Sequence, residues 1–254
     1  MGYVILFFLL LSLCYSSVVL AAEATTPNYL PNVNIGIGDN SGKPSSASST
    51  ISIILLLTVL SIAPAILVLM TSFTRIVIVL GFVRTSLATQ QMPPNQVLIG
   101  LALFLSLFIM APTIGQINEQ ALQPYFNGQI SQTEALKKAE LPIKQFMGKQ
   151  VREKDLKLFL DYSKAVQPTG IDDTPLTALI PAFVISELKT AFQMGFMIFI
   201  PFLVIDMVIA STLMAMGMMM LPPVMISLPF KILLFVLVDG WYLVVKSLLL
   251  SFKT

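Results

Sequence analysis

The chain has 254 residues, of which 56% are hydrophobic and only 11% charged; an ordinary soluble domain is about 25% charged. Its mean hydropathy of +0.86 places it among membrane proteins. The net charge is +2, with no dense basic patch, which argues against nucleic acid as a partner. The absence of His removes the commonest metal ligand, general base and pH sensor, and a single Cys, Cys14, allows neither a disulfide framework nor a thiolate metal site within one chain. No cofactor or metal is expected, and an enzyme is not.

Residues 1–21 read as a secretory signal. Val4–Val19 is a mostly apolar run, and Val19-Leu20-Ala21 supplies small residues where a signal peptidase cleaves. No Lys or Arg precedes the run, so the other reading is a retained transmembrane helix. Residues 22–50 are rich in Asn, Gly, Ser and Pro and are expected to be a flexible periplasmic segment. Gly36-Ile-Gly-Asp-Asn-Ser-Gly-Lys43 fails the spacing of a phosphate-binding loop. Pro44 also stands where a magnesium-binding hydroxyl is needed.

Residues 51–114 are expected to form a first apolar helical hairpin. Ile51–Met70 is long enough to cross ~30 Å of hydrocarbon, with a kink expected at Pro64. Arg75 is embedded in the apolar stretch that follows, and Arg84 closes it; both are expected to be buried charges. Met92-Pro93-Pro94-Asn95 is the turn, and Val97–Ile114 the second arm. By the positive-inside rule, Arg75 and Arg84 would anchor the cytoplasmic end. Lys246 and Lys253 fit that rule poorly, which hints that a simple four-span picture is incomplete.

Residues 115–174 hold eight acidic and eight basic side chains, more than half of all charge in the chain. They are expected to be a water-exposed helical segment. Ser131-Gln-Thr-Glu134 is a capping box. Leu156, Phe159 and Leu160 mark an apolar helix face. Mixed charge at this spacing is the pattern of a solvated surface, and no site is read here.

Residues 175–254 are expected to form a second apolar hairpin. Thr174-Pro175 predicts a helix start, with a hydroxyl N-cap and Pro at the first position. The run Leu176–Met220 is about 45 residues, too long for one straight span, so Pro181, Gly195 and Pro201 are expected to break or bend it. Val224–Leu250 is the returning arm. The two Pro-Pro turns form a weak internal echo.

Residues 214–223, Met-Ala-Met-Gly-Met-Met-Met-Leu-Pro-Pro, hold five Met. Met216, Met218, Met219 and Met220 at a hairpin turn suit a soft apolar seal that opens and closes. Copies arranged in a ring would block ions by dewetting; the plainer reading is core filler. Asp206 and Lys231 interrupt the two arms. They lie about 21 and 16 Å from Met220 along their helices, so their heights differ by roughly one turn. An ion at the centre of a bilayer costs at least ~2.5–3.5 kcal/mol, so these two are expected to face protein or water and to meet within the hairpin or across subunits. Glu187, Asp206 and Asp239 also leave open a proton relay.

Five blocks, in order, carry a resemblance to a known family. They are Thr71-Ser-Phe-Thr-Arg-Ile-Val-Ile-Val-Leu-Gly-Phe-Val-Arg84, Met92-Pro-Pro-Asn-Gln96, Phe202-Leu-Val-Ile-Asp206, Met216-Gly-Met-Met-Met-Leu-Pro-Pro223 and Ser227-Leu-Pro-Phe-Lys-Ile-Leu-Leu-Phe235. The chain resembles the FliP/SctR family of type III secretion export-gate proteins, of the flagellar branch, from about residue 50 onward. The resemblance implies an all-α fold whose membrane-associated hairpins assemble into a helical oligomeric export gate. It implies a homopentamer that joins FliQ and FliR at the flagellar basal body in the bacterial inner membrane. Much of such a chain is held on the periplasmic side, enclosed by sibling subunits rather than by lipid. It implies passage of unfolded flagellar subunits, a methionine gasket at Met218, Met219 and Met220, and important buried charges at Asp206 and Lys231. Energy would come from the proton-motive force and a separate ATPase complex. The alternatives are a proton-coupled small-solute transporter, with Asp206 as proton carrier, and an assembly scaffold.

Overall fold

The computed structural model describes residues 45–89, 91–163, 168–218 and 221–253. The expected signal peptide and most of the expected flexible segment lie outside the described residues, as do Met219 and Met220. All regular structure among the described residues is helical, in accord with the all-α expectation. The first helix, α1 (Ser45–Leu69), starts six residues ahead of Ile51 and is unbroken across position 64. The chain divides into two units, with the boundary after Val59. In the first unit, Ile54, Leu55, Leu56 and Leu57 are exposed.

The second unit, Leu60–Thr254, is organised by α2 (Phe73–Ser86) packing on α7 (Leu176–Ala215). On α2 the fully buried apolar residues are Ile76, Val79, Leu80 and Val83. Their i, i+3, i+4, i+7 spacing is one stripe of a 3.6-residue helix. The buried stripe of α7 includes Leu179, Ala182, Phe183, Ala191 and Phe202. At 40 residues, α7 is about 60 Å long, and it also packs against the helices Gln132–Gln150, Glu153–Ser163 and Pro223–Leu237.

The expected break in α7 is absent. Pro181 and Pro201 lie inside one continuous helix. Each interior proline costs ~3 kcal/mol, and the packing of the buried stripe of α7 outweighs that penalty. Gly195 lies at a close approach to a neighbouring ring. A Cβ there would lie 2.3 Å from the Phe82 ring, so its missing side chain is the space Phe82 fills. That ring meets Phe192 edge-on, with centroids 5.4 Å apart.

Helix α3 (Asn95–Ile117) follows the Pro93-Pro94 turn. It runs through a π-helical turn at Asn118–Leu122 into the short α4 (Gln123–Phe126). Helix α5 (Gln132–Gln150) starts with half of the expected capping box: Ser131 accepts a hydrogen bond from the Glu134 amide at 3.3 Å, while the Glu134 carboxylate turns to Lys138 at 3.2 Å. On α6 (Glu153–Ser163), Leu160 is buried and Leu156 and Phe159 are half-buried, the face expected from the sequence. At the head of α7, Thr174 does not cap. Its hydroxyl donates back to the Gly170 carbonyl at 2.9 Å, and Pro175 takes the N-cap position.

The returning arm is two helices rather than one. Helices α8 (Pro223–Leu237) and α9 (Gly240–Leu250) meet at 64°. The break falls at Asp239, whose φ of 52° is left-handed. A Cβ on Gly240 would lie 2.3 Å from Phe235, so the bend is tightly packed. Among the described residues, Asn95–Phe126 and Leu176–Ala215 are long and apolar enough to cross a membrane; counting the bent pair as one span makes three.

Candidate functional site

The end of α7 shows how the sequence holds its methionines. Gly217 adopts φ +75°. Its amide donates to the Met214 carbonyl, and the Met218 amide donates to the Leu213 carbonyl, both at 3.0 Å. This is a Schellman stop, which uses Gly at the left-handed position to satisfy the last carbonyls. It leaves Met214, Met216 and Met218 exposed, at 61%, 64% and 44%, so these three do not fill this chain's core. Met219 and Met220 lie outside the described residues, so the geometry covers only Met216 and Met218 of the four candidate seal residues.

Asp206 and Lys231 meet within one chain, Nζ to Oδ2 at 2.6 Å. The Ser227 hydroxyl, one turn before Lys231, donates to Asp206 Oδ1 at 2.5 Å. Lys231 is buried, and it also donates to the Ser86 carbonyl at 3.3 Å. That carbonyl belongs to the last residue of α2, where partial negative charge collects and donors are missing. The pair therefore joins α7, α8 and the end of α2. Asp206 is half-buried rather than buried, its side chain retaining 26% exposure.

Arg75 is buried, and it pairs with Glu187, which is fully buried on α7. The guanidinium donates through Nε to Glu187 Oε2 at 2.8 Å and through Nη2 to Oε1. Its Nη1 reaches the Ser251 carbonyl at 2.9 Å and hydroxyl at 3.0 Å, and its face lies 4.0 Å from the Phe252 ring centroid. The forked guanidinium thus satisfies both carboxylate oxygens and a distant backbone carbonyl together. Gln150 continues the tie, its Nε2 donating to the Lys253 carbonyl at 2.8 Å.

Arg84 is half-buried, not buried as the sequence suggested. It donates to Asn95 Oδ1 at 2.5 Å and to the Pro93 carbonyl at 3.4 Å, and so staples the turn between α2 and α3.

Sequence reasoning missed two groups. Arg75 and Glu187 were each noted, but not as partners. A lone acid and a lone base, each stranded in an apolar run, were the available signal. The other is Asp155, in the segment taken as a plain solvated face. Its Oδ2 accepts from the Ser186 hydroxyl and from Arg152 Nη2, both at 2.6 Å. The Ser186 hydroxyl, supported by Arg152 and reinforced by the nearby positive charges, holds the Asp155 carboxyl below its usual range, although burial opposes the shift. No cluster of three or more acidic or thiol ligands that would hold a metal occurs among the described residues.

Comparison with known proteins locates this architecture. The FliP family model matches residues 56–248. The flagellar biosynthetic protein FliP of Bacillus subtilis is 70% identical over 213 residues, covering 84% of this chain and 96% of that protein. The protein of the same name from Caulobacter vibrioides is 52% identical over 221 residues, covering 87% and 82%. That from Aquifex aeolicus is 46% identical over 226 residues, covering 88% and 92%. With a family match over most of its length and relatives this similar, the chain belongs to the FliP family of flagellar biosynthesis and export proteins.

Proposed function

We propose that this chain lines the closed channel of the flagellar protein export gate, as one of five copies joined to FliQ and FliR subunits. The gate stands at the basal body in the bacterial inner membrane, with much of the chain on the periplasmic side. Residues 1–21 act as its signal peptide. Unfolded flagellar subunits pass through, and the role is structural rather than catalytic. The Met-rich turn is the seal: thioethers from several copies close a narrow apolar girdle, which excludes water and ions and yields to a polypeptide because Met is unbranched and flexible.

The observation that carries this reading is the Schellman turn at Gly217, which presents Met214, Met216 and Met218 outward rather than inward. Assembly has its own support. Only 11% of the most apolar window of α7 is buried within the chain, so most of that helix is left for other surfaces to cover. The Asp206–Lys231 pair, bonded on both sides, fits a role in holding α7, α8 and α2 together better than that of a free proton carrier.

The test is ion conductance of the assembled gate carrying Met218→Ala, Met219→Ala and Met220→Ala together. The expected result is a leak at rest with secretion retained. Unchanged resting conductance would remove the seal from the reading.

A further inference from the structure

We propose that α9 and the residue that caps it carry the two halves of a contact between neighbouring copies of this chain: Asp239 of one copy pairs with Lys246 of the next. The proposal rests on the reading of the chain as a homo-oligomer, and adds where the copies touch.

The bend between α8 and α9 puts Asp239 in the left-handed region, with an exposed side chain that makes no capping hydrogen bond. Among the described residues it has no ion-pair partner. Its surroundings are apolar and equally open: Val236, Leu237, Val238 and Tyr242 are all exposed. A patch of this kind invites cover, yet covering it strands the carboxylate unless the cover brings a cation.

Lys246 is the complement. It is exposed, and it too lacks an ion-pair partner among the described residues; the Tyr242 ring lies 5.7 Å from its ammonium. It borders a groove of about 530 Å³ between α7 and α9, shared with Thr190, Met194, Leu243, Ser247 and Leu250. No carboxylate lines that groove, so its charge and apolar floor suit a carboxylate flanked by aliphatic side chains. The bend at Asp239 presents that combination.

The two charges cannot satisfy each other within one copy. Asp239 sits at the N-cap, outside the helix, and Lys246 lies within α9 seven residues on, which at helical rise separates them by roughly 10 Å. An acid at one end of a helix face and a base in a groove further along make unlike surfaces. Pairing one with the other between copies is a heterologous contact, which repeats into a ring or a helical stack.

Cysteine cross-linking tests this directly. In the full chain, co-expressed with its partner subunits and carrying Cys14→Ser, Asp239→Cys and Lys246→Cys are introduced together. A disulfide within one copy is ruled out, because bridged Cα atoms lie within ~7 Å. The expected result on oxidation is a thiol-sensitive ladder past the dimer, which neither single-cysteine chain produces. An oligomer of native size without a ladder would overturn the contact and leave the assembly reading intact. A product that stops at the dimer would equally overturn it. Loss of any oligomer in the unsubstituted protein would sink both readings. As a second measurement, Asp239→Lys should reduce secretion about tenfold, and adding Lys246→Asp should recover much of it; a double variant no better than the worse single one speaks against the pairing.

Discussion

Arg75 and Glu187 are 112 positions apart in sequence, yet they form a forked ion pair in which both side chains are almost wholly hidden. Their pairing sets the register between α2 and α7, since sliding either helix by one residue would turn a charge into the apolar stripe. Breaking such a pair by removing one partner costs ~3–5 kcal/mol, whereas replacing both with apolar groups is often neutral. Glu187→Met and Arg75→Met should therefore each lower the unfolding midpoint in detergent sharply. The double variant Arg75→Met, Glu187→Met should be less destabilised than either alone. A double-mutant cycle by thermal unfolding checks this, and additive losses would show that the two residues act independently.

The sequence-legible parts of the fold are those written in local chemistry. Pro93-Pro94 and Pro222-Pro223 mark both turns because neither can continue a preceding helix. Ser131 and Glu134 mark the head of α5 for the same kind of reason. Asp206 and Lys231 were placed by counting residues back from a turn, which works because helical rise is constant. Arg75 and Glu187 escaped that arithmetic, since no short turn links their helices. The continuity of α7 was hidden because proline cost is local and visible, while the packing that outweighs it is not. The break at Asp239 was marked by an Asp-Gly pair, a turn dipeptide masked here by the apolar run around it.

Asp155 gives the fold an acid limb. Its folded carboxyl is held below the usual range by the Ser186 hydroxyl first, with Arg152 and Lys189 contributing. A carboxylate with a depressed folded pKa adds stability that is fully present above its unfolded value and is lost as pH falls through the folded one. The loss should fall below about pH 4. Asp155→Asn should flatten the pH dependence of the unfolding midpoint in that range and leave the neutral-pH slope unchanged. An unaltered acid limb would mean that other carboxylates dominate it.

Gly195 tests close packing without charge. A methyl group at this position would meet the Phe82 ring well inside van der Waals contact. Inserting a methyl into a packed interface costs ~1–3 kcal/mol, more than the gain of up to ~1 kcal/mol in helix propensity on replacing Gly with Ala. Gly195→Ala should therefore destabilise the chain, and Phe82→Leu in the same background should restore part of the loss by vacating the space. Unfolding in detergent distinguishes this from a hinge: a bend-forming glycine would not be rescued from the opposite helix.

Exchanging the charges of Asp206 and Lys231 should rescue only in part, and the structure gives the reason. Lys231 serves two acceptors, the Asp206 carboxylate and the Ser86 carbonyl at the end of α2. Asp206 has a second partner too, the Ser227 hydroxyl. After exchange, the new carboxylate at 231 would face the negative end of the α2 dipole, an interaction that changes sign and is worth ~0.3–1 kcal/mol, up to ~2 when partly buried. The new lysine at 206 would still find the hydroxyl of Ser227 as an acceptor, so that side of the site tolerates the change. Single reversals should abolish export and the double exchange should recover a fraction of it, well short of the native level. Full recovery would show that the Ser86 contact contributes nothing; no recovery would show that the geometry around Ser86, rather than the pairing itself, sets the requirement.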